Sequence, residues 1–151
     1  IRGIVGEDLT HELAMKIGEA AAYVLGSKKD LVVLIGRDTR ISGQMLSSAL
    51  SAGFMSQGAK VIDLGVVPTP AVSYLVKKYN ASMGAMISAS HNPSEYNGLK
   101  MTLHRHSFNA DDIKQVAKYA QDEFEHDKGS YYMPGELAQY NIIQFCMLSM
   151  Q

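Results

Sequence analysis

The chain of 151 residues lacks several features that would narrow its class. Its single cysteine, Cys146, excludes an internal disulfide and fits a reducing compartment, so we expect a cytoplasmic protein. A net charge of −1 gives no sign of nucleic-acid or membrane partners. No apolar run approaches the roughly 18–20 residues of a membrane span. The hydrophobic fraction of 46 % is ordinary, and the length suits one domain with a real core.

Two catalytic signatures are also missing from the sequence. No serine lies in a G-x-S-x-G motif, which in many serine hydrolases places the nucleophile on a strand-to-helix elbow. No D-x-D-type carboxylate cluster is present, so the residues offer no ready-made metal loop. The chain begins at Ile1 rather than Met, and we expect its native N-terminus to be missing or processed.

Helix and strand patterns alternate along the chain. Apolar runs predict strands at 31–35, 61–64, 83–87 and 98–103. Helices are expected after four capping residues, Thr10, Ser42, Thr69 and Asn109, so that each helix begins at the residue that follows its cap. The link between the last two strands is too short for a helical crossover, so the fourth strand should run antiparallel to the third. We therefore predict an α/β fold over residues 1–136, with three layers (α/β/α) around a mixed four-stranded sheet whose last strand is antiparallel.

The final stretch, residues 137–151, is apolar on nearly every side. We interpret it as a linker helix toward a second domain, because such a helix should be buried. Exposed apolar surface tends to find a partner. The chain by itself is thus expected to self-associate through residues 140–151 or to pack them against its own domain.

The segment Ser88-Ala89-Ser90-His91-Asn92-Pro93 follows the third predicted strand and carries hydroxyl, imidazole and amide groups. Lys100 comes after a turn expected at Asn97-Gly98. Ligands of such folds bind beyond the carboxyl ends of parallel strands, which makes this loop a candidate site for a small polar ligand. Ser90 is a candidate nucleophile or phosphate carrier, and His91 is better placed to bind an anion than to act as its base. The alternative is a polar turn between two strands, with a structural histidine.

Two further polar loops, 36–40 and 65–70, are expected at the same rim of the sheet. There we expect Arg37 and Asp38 to pair and fix the loop, which leaves Arg40 free to face the rim, where a guanidinium suits phosphate oxygens. Arg2 lies beside glycines that let the backbone approach a ligand closely. Lys100 either belongs to this site or is an ordinary solvated lysine.

Four motifs, in order, resemble those of the N-terminal domain of the α-D-phosphohexomutases. They stand at 1–6, 36–43, 65–70 and 88–100, and so cover nearly all of residues 1–110. Within the family, the Tyr96-Asn97-Gly98-Leu99-Lys100 form is similar to the bacterial phosphomannomutase/phosphoglucomutase branch. The phosphoglucosamine mutase branch usually has another residue in place of that tyrosine.

The resemblance implies a mechanism for an isomerase. Ser90 is carried as phosphoserine and exchanges its phosphoryl group with a hexose 1-phosphate or 6-phosphate of mannose or glucose. The reaction passes through a hexose 1,6-bisphosphate, which also serves as activator. Arg2 and Lys100 match positions with acid/base or transition-state roles, and His91 matches one that orients the reacting groups. Arg40 and Asn92 are assigned to phosphate binding.

The resemblance also implies Mg²⁺, held partly through the phosphate on Ser90, with its other ligands in a D-G-D-G-D-R loop of a second domain. The full-length protein would be a monomer that takes a small phosphosugar, with no nucleic-acid or membrane partner, and the domain alone would be inactive. Two alternatives stay open. One is a phosphoglucosamine mutase; the other is a stand-alone module that binds phosphate or a phosphosugar without turnover.

Overall fold

A computed structural model describes residues 1–26, 30–104, 111, 114–116, 118 and 137–139. Its strands are β1 (Arg2–Ile4), β2 (Val32–Arg37), β3 (Lys60–Val66), β4 (Met83–Ile87), β5 (Tyr96–Leu103) and β6 (Leu137–Gln139). Its helices are α1 (His11–Val24), α2 (Gly43–Ser56) and α3 (Thr69–Lys78). Strand and helix thus alternate up to β4, after which β5 follows without a helix.

The strands form one mixed sheet in the order β1-β5-β4-β2-β3-β6. β2 pairs in parallel with both β3 and β4, as expected for strands joined by helical crossovers. β5 pairs antiparallel with β4, which confirms the direction predicted from the short link between them. β1 lies antiparallel to β5 at one edge, and β6 lies parallel to β3 at the other.

The two faces of the central strand β2 contribute to two separate cores. Val33 and Ile35 pack in the cluster that includes α1 and α2, whereas Leu34 packs in the cluster formed with α3. This alternation follows from the period of two along a strand. All five residues of β4 are buried, since helices cover both of its faces. The predicted α/β fold with three layers is confirmed.

The described residues place six strands in the sheet, two more than the four predicted. Both extra strands are three-residue edges without an apolar run: β1 is Arg-Gly-Ile and β6 is Leu-Ala-Gln. Residues 137–139, which we expected to begin a linker helix, form β6 and pair with β3 instead. Edge strands of this length are held by their neighbour's hydrogen bonds, which a local sequence pattern does not reveal.

Two predicted helix starts differ in detail from the structure. Thr10 caps α1 as expected, and its Oγ1 accepts a hydrogen bond from the Leu13 amide at 3.2 Å. Ser42 occupies the cap position of α2 but makes no side-chain capping bond. Helix α3 begins at Thr69 with Pro68 as its cap, one residue earlier than predicted.

Some predictions fall on other parts of the chain. The cap at Asn109, the lone Cys146 and the apolar residues 140–151 lie outside the described residues. Among the helices that are described, none combines the length and the apolar character that a membrane crossing requires.

Glycines allow α1 and α2 to pack backbone against backbone. A Cβ atom at Gly53 would overlap the carbonyl oxygen of Met15, and one at Gly18 would lie 2.5 Å from the carbonyl oxygen of Leu50. Neither contact leaves room for a methyl group, and both involve backbone atoms that cannot rotate away. The pair of glycines therefore sets how closely the two helices approach on this face of the sheet.

We expect Gly53→Ala to destabilise the protein by about 1–3 kcal/mol, the usual cost of overpacking a close contact. In a helix without such a contact, replacing glycine by alanine ordinarily stabilises the protein by about 1 kcal/mol. Whether the substitution raises or lowers the free energy of unfolding therefore tests the contact. Ser48→Ala, on the exposed face of the same helix, is the matched control and should leave stability nearly unchanged. A higher urea midpoint for Gly53→Ala would contradict the close approach.

Candidate active site

Loops from the carboxyl ends of the parallel strands meet at one rim of the sheet, as the sequence predicts. The amide of Asp38, in the loop after β2, donates to the carbonyl of Ile87 at the end of β4, at 3.0 Å. The amide of Val67, just after β3, donates to the carbonyl of Arg37 at 3.0 Å. Three chain segments are thus joined where ligands of this fold class bind.

The loop after β4 folds into a tight turn around Ser90, which we call the serine turn (residues 88–93). The amide of Ser90 donates to Oγ of Ser88 at 3.0 Å, and the amide of Asn92 donates to the carbonyl of Ala89 at 3.2 Å. Ala89 is fully buried and anchors the turn, whereas Ser90 and His91 are exposed. The turn therefore presents the candidate nucleophile to solvent from a fixed base.

Ser90 has a left-handed backbone, with φ of 59°. Left-handed conformations cost roughly 1–2 kcal/mol for a residue with a Cβ atom. Among the described residues, the only other non-glycine with positive φ is Asn80, a residue type that tolerates it. Such backbone strain persists only where surrounding contacts determine the conformation, and it is concentrated at functional sites. The conformation of Ser90 therefore depends on the contacts around it.

The guanidinium of Arg40 lies inside the curve of this loop. Its four Nη hydrogens match four backbone carbonyl acceptors, at 2.6 Å (Pro93), 2.7 Å (Asn92), 3.0 Å (Tyr96) and 3.1 Å (Ser90). Its Nε donates to Oδ2 of Asp38 at 3.2 Å. A guanidinium has five N–H donors, and all five are used within the protein.

The predicted pairing of Arg37 with Asp38 is corrected by this arrangement. Arg37 does not pair with Asp38; its Nη1 contacts Asp63 at 3.1 Å and its Nη2 donates to Gln44 at 2.6 Å. Asp38 pairs with Arg40 instead, because consecutive side chains at a strand end point in opposite directions. The five donors of Arg40 are used within the protein, and its expected binding of phosphate stays a prediction.

Asn97 is a second anchor that the sequence analysis missed. It is fully buried, its Nδ2 donates to Oγ of Ser42 at 2.9 Å, and its Oδ1 accepts from the Gly98 amide at 2.8 Å. We expected a turn at Asn97-Gly98, since that dipeptide is a common turn signal. Both residues lie inside β5, and the asparagine ties this strand to the start of α2. The hydroxyl of Ser42 is engaged here, which explains why it does not cap the helix.

Arg2 and Lys100 lie on the same face of the sheet. Arg2 stands opposite Gly98 on β5, and Lys100 follows two residues later on that strand, so the pleat places both on one side. A Cβ at Gly98 would be 3.6 Å from the Cβ of Arg2 and closer still to two carbonyl oxygens. Both cations are exposed. The missing side chain at Gly98 keeps the space between them open.

Arg2 also contacts the serine turn directly. Its Nη1 lies 3.4 Å from Oδ1 of Asn92, a long hydrogen bond that leaves most of its donors available. Of the predicted site residues, Ser90, His91, Asn92 and Arg2 are therefore brought together. Lys100 shares the face of Arg2, with Met86 as its neighbour on β4.

Metal binding was predicted through a phosphate on Ser90. Within the described part of the chain, no three His, Cys, Asp or Glu side chains come together as a candidate metal site. Coordination through phosphoserine stays a prediction.

The model of the phosphoglucomutase/phosphomannomutase alpha/beta/alpha domain I matches residues 1–127. The chain belongs to this family. The predicted resemblance to the N-terminal domain of the phosphohexomutases is confirmed, and it includes the serine turn and the Arg40 loop.

Curated relatives agree with this membership. A phosphoglucosamine mutase of Alkaliphilus metalliredigens is 54 % identical over 116 residues, which are 76 % of this chain and 26 % of the relative. One from Clostridium kluyveri is 58 % identical over 101 residues, 66 % of this chain and 22 % of the relative. The chain therefore spans about a quarter of the length of these relatives.

Solved structures in the same family share the fold. The crystal structure of a phosphoglucomutase/phosphomannomutase family protein from Burkholderia thailandensis superposes with a TM-score of 0.78 at 30 % identity. The match covers 94 % of this chain and 32 % of that chain. At 30 % identity, the match supports membership of the same family in addition to a shared fold.

Proposed function

We propose that this chain is the phosphoserine domain of a phosphohexomutase, an isomerase that moves a phosphoryl group between C1 and C6 of a hexose phosphate. The observation that carries the proposal is Ser90: an exposed hydroxyl on a strained, firmly anchored turn, at the rim where ligands of this fold bind. Family membership supports the same reaction class.

The chemistry needs one covalent carrier and two transfers. In the first, the bond between phosphorus and Oγ of Ser90 breaks, and the free sugar hydroxyl of a hexose monophosphate takes the phosphoryl group. The proton of that hydroxyl passes to a base, an acid protonates Oγ of Ser90 as it leaves, and a 1,6-bisphosphate results. In the second, the bisphosphate presents its other phosphate, the hydroxyl of Ser90 loses its proton to a base as Oγ accepts that phosphoryl group, and the sugar oxygen regains a proton. Atoms and charge balance over the cycle.

Arg2 and Lys100 have the charge that this transfer requires. A phosphoserine carries about −1.5 to −2 charges and the incoming sugar phosphate is also an anion, so their approach must be neutralised. The two exposed cations lie on one face of the sheet, and Arg2 already touches the serine turn through Asn92. We assign them to stabilising the transferring phosphoryl group and its proton transfers, with His91 as an orienting group. Mg²⁺, when bound, would add further positive charge; no step above depends on it.

The substrate class that we favour is a hexosamine phosphate. The relatives with 54 % and 58 % identity are both phosphoglucosamine mutases. Mannose or glucose phosphate is the second candidate, since the Tyr96-Asn97-Gly98 form is similar to the phosphomannomutase/phosphoglucomutase branch. The two candidate reactions use the same phosphoryl carrier, Ser90, and differ only in the sugar phosphate that is the substrate.

Ser90 is expected to take the label when the intact protein that carries this domain is incubated with a radiolabelled hexose 1,6-bisphosphate. Ser90→Ala should abolish labelling because no other hydroxyl occupies the tip of the turn. Ser94→Ala is the matched control, a nearby exposed serine whose Oγ contacts Glu95 at 3.3 Å, and should label normally. Phosphopeptide mapping that places the label on Ser88 or Ser94 would refute the assignment.

Arg2→Ala and Lys100→Ala are each expected to lower kcat of the intact protein by about 10²–10⁴, the scale of positioned groups that move protons or balance charge. Their thermal unfolding should hardly change, because both side chains are exposed. Lys16→Ala, an exposed cation on α1, serves as the control and should keep full activity. A large loss of stability with normal kcat would instead make the residue structural.

Glucosamine 6-phosphate is expected to exceed mannose 6-phosphate and glucose 6-phosphate in kcat/KM by at least about tenfold. A site built to recognise an amino group discriminates strongly against a substrate that lacks it. The check is a competition assay with the three sugars at equal concentration. A preference for mannose or glucose phosphate would support the second candidate and leave the role of Ser90 intact.

A further inference from the structure

We propose that Arg40 is a positioning residue for the phosphoryl carrier: its side chain fixes the backbone of the serine turn and thereby holds Ser90 in its left-handed conformation. This inference rests on the proposed function, because it gives a role in turnover to a residue that never touches the phosphosugar. It replaces the expectation that Arg40 binds phosphate.

The hydrogen bonds of Arg40 to the backbone go to the carbonyl of Ser90 and to carbonyls of residues that follow it. One Nη donates to the carbonyls of Ser90 and Asn92, and the other to those of Pro93 and Tyr96. These four carbonyls span seven consecutive residues, and they meet at one point only if the chain curls around the guanidinium. The left-handed φ of Ser90 is the residue conformation that begins this curl.

The guanidinium is itself held in place from the sheet. Oδ1 of Asp38 accepts from the amide of Arg40 at 3.0 Å, and Oδ2 accepts from its Nε at 3.2 Å. The amide of Asp38 in turn donates to the carbonyl of Ile87 at the last residue of β4. The turn is therefore tied to the end of the strand that leads into it by a path through Asp38 and Arg40, in addition to its own backbone.

Direct phosphate binding by Arg40 is incompatible with this arrangement. Any Nη hydrogen that moved to a phosphate oxygen would leave a loop carbonyl without its charged partner, and would loosen the turn that carries the phosphate. The Arg40 side chain is only 13 % exposed, whereas Arg2 is exposed and has donors to spare. Arg2 is thus the arginine suited to the ligand, and Arg40 the one suited to the turn.

The test compares Arg40→Lys with Arg37→Lys in the intact protein. Lysine keeps the charge but has three donors on one tetrahedral atom, so it cannot serve four carbonyls and Asp38. Arg37 is the matched control, since it is also largely buried and paired with an aspartate, Asp63, but does not contact the serine turn. Both variants keep the charge of a largely buried arginine that pairs with an aspartate, and they differ in whether the turn is released.

We expect Arg40→Lys to lower kcat and the rate of Ser90 phosphorylation by about 10²-fold, the effect of misplacing a reacting group by about 1 Å. KM should change little, because Arg40 does not contact the substrate. Arg37→Lys should keep near-normal rates even if it melts at a lower temperature. Asp38→Asn, a milder change, should lower the same rate in the same direction without altering KM.

Two outcomes would overturn the proposal. One is a normal phosphorylation rate in Arg40→Lys, which would mean that a positive charge or a long side chain at this position is enough to hold the serine turn. The other is a kcat that is kept while KM rises by about tenfold or more, which is the signature of lost substrate binding.

Hydrogen exchange of the intact protein separates this inference from the proposed function. In Arg40→Lys, amides of residues 88–97 should exchange faster by about tenfold or more, while those of α1 stay as in the parent. If the exchange rates of residues 88–97 were the same in Arg40→Lys as in the parent, the proposal that Arg40 holds the serine turn would be refuted. If the parent protein takes no phosphate on Ser90, the proposed function fails, but the exchange result still decides whether Arg40 holds the turn.

Discussion

The guanidinium of Arg40, with all five of its donors used, is the interaction on which the candidate site depends. It binds four carbonyls of one short segment and one carboxylate, Asp38, whose own amide is fixed to the end of β4. Charge-assisted hydrogen bonds of this kind are stronger than neutral ones, so together they can offset the strain of a left-handed Ser90. Without them, the exposed serine would be an ordinary loop residue.

The sheet topology makes that interaction possible. β2 and β4 are parallel neighbours, so the loops that carry Arg40 and Ser90 leave the sheet side by side although the two residues are 50 positions apart. The return strand β5 runs antiparallel to β4 and closes the turn, with buried Asn97 tying it to the start of α2. β1 then adds Arg2 at the edge, beside the open space left by Gly98.

Periodicity and turn chemistry predicted the layers, three helices, four of the strands and the position of Ser90, because those depend on local pattern. They could not predict β1 and β6, which have no apolar run and are held by their neighbours. The hydrogen-bond partners of the two arginines could not be predicted from the sequence either. Arg37 pairs with Asp63 on the adjacent strand, and the acceptors of Arg40 are backbone carbonyls, which every residue has and no sequence motif marks.

The most direct test of Ser90 as phosphoryl carrier is kinetic competence in a rapid-quench experiment. The phosphorylated intact protein is mixed with an excess of glucosamine 6-phosphate, and phosphate on Ser90 is followed within a single turnover. We expect the phosphoryl group to leave Ser90 at least as fast as kcat, with equivalent formation of the 1,6-bisphosphate. A phosphate that stays on Ser90 while many turnovers pass would contradict its role as carrier.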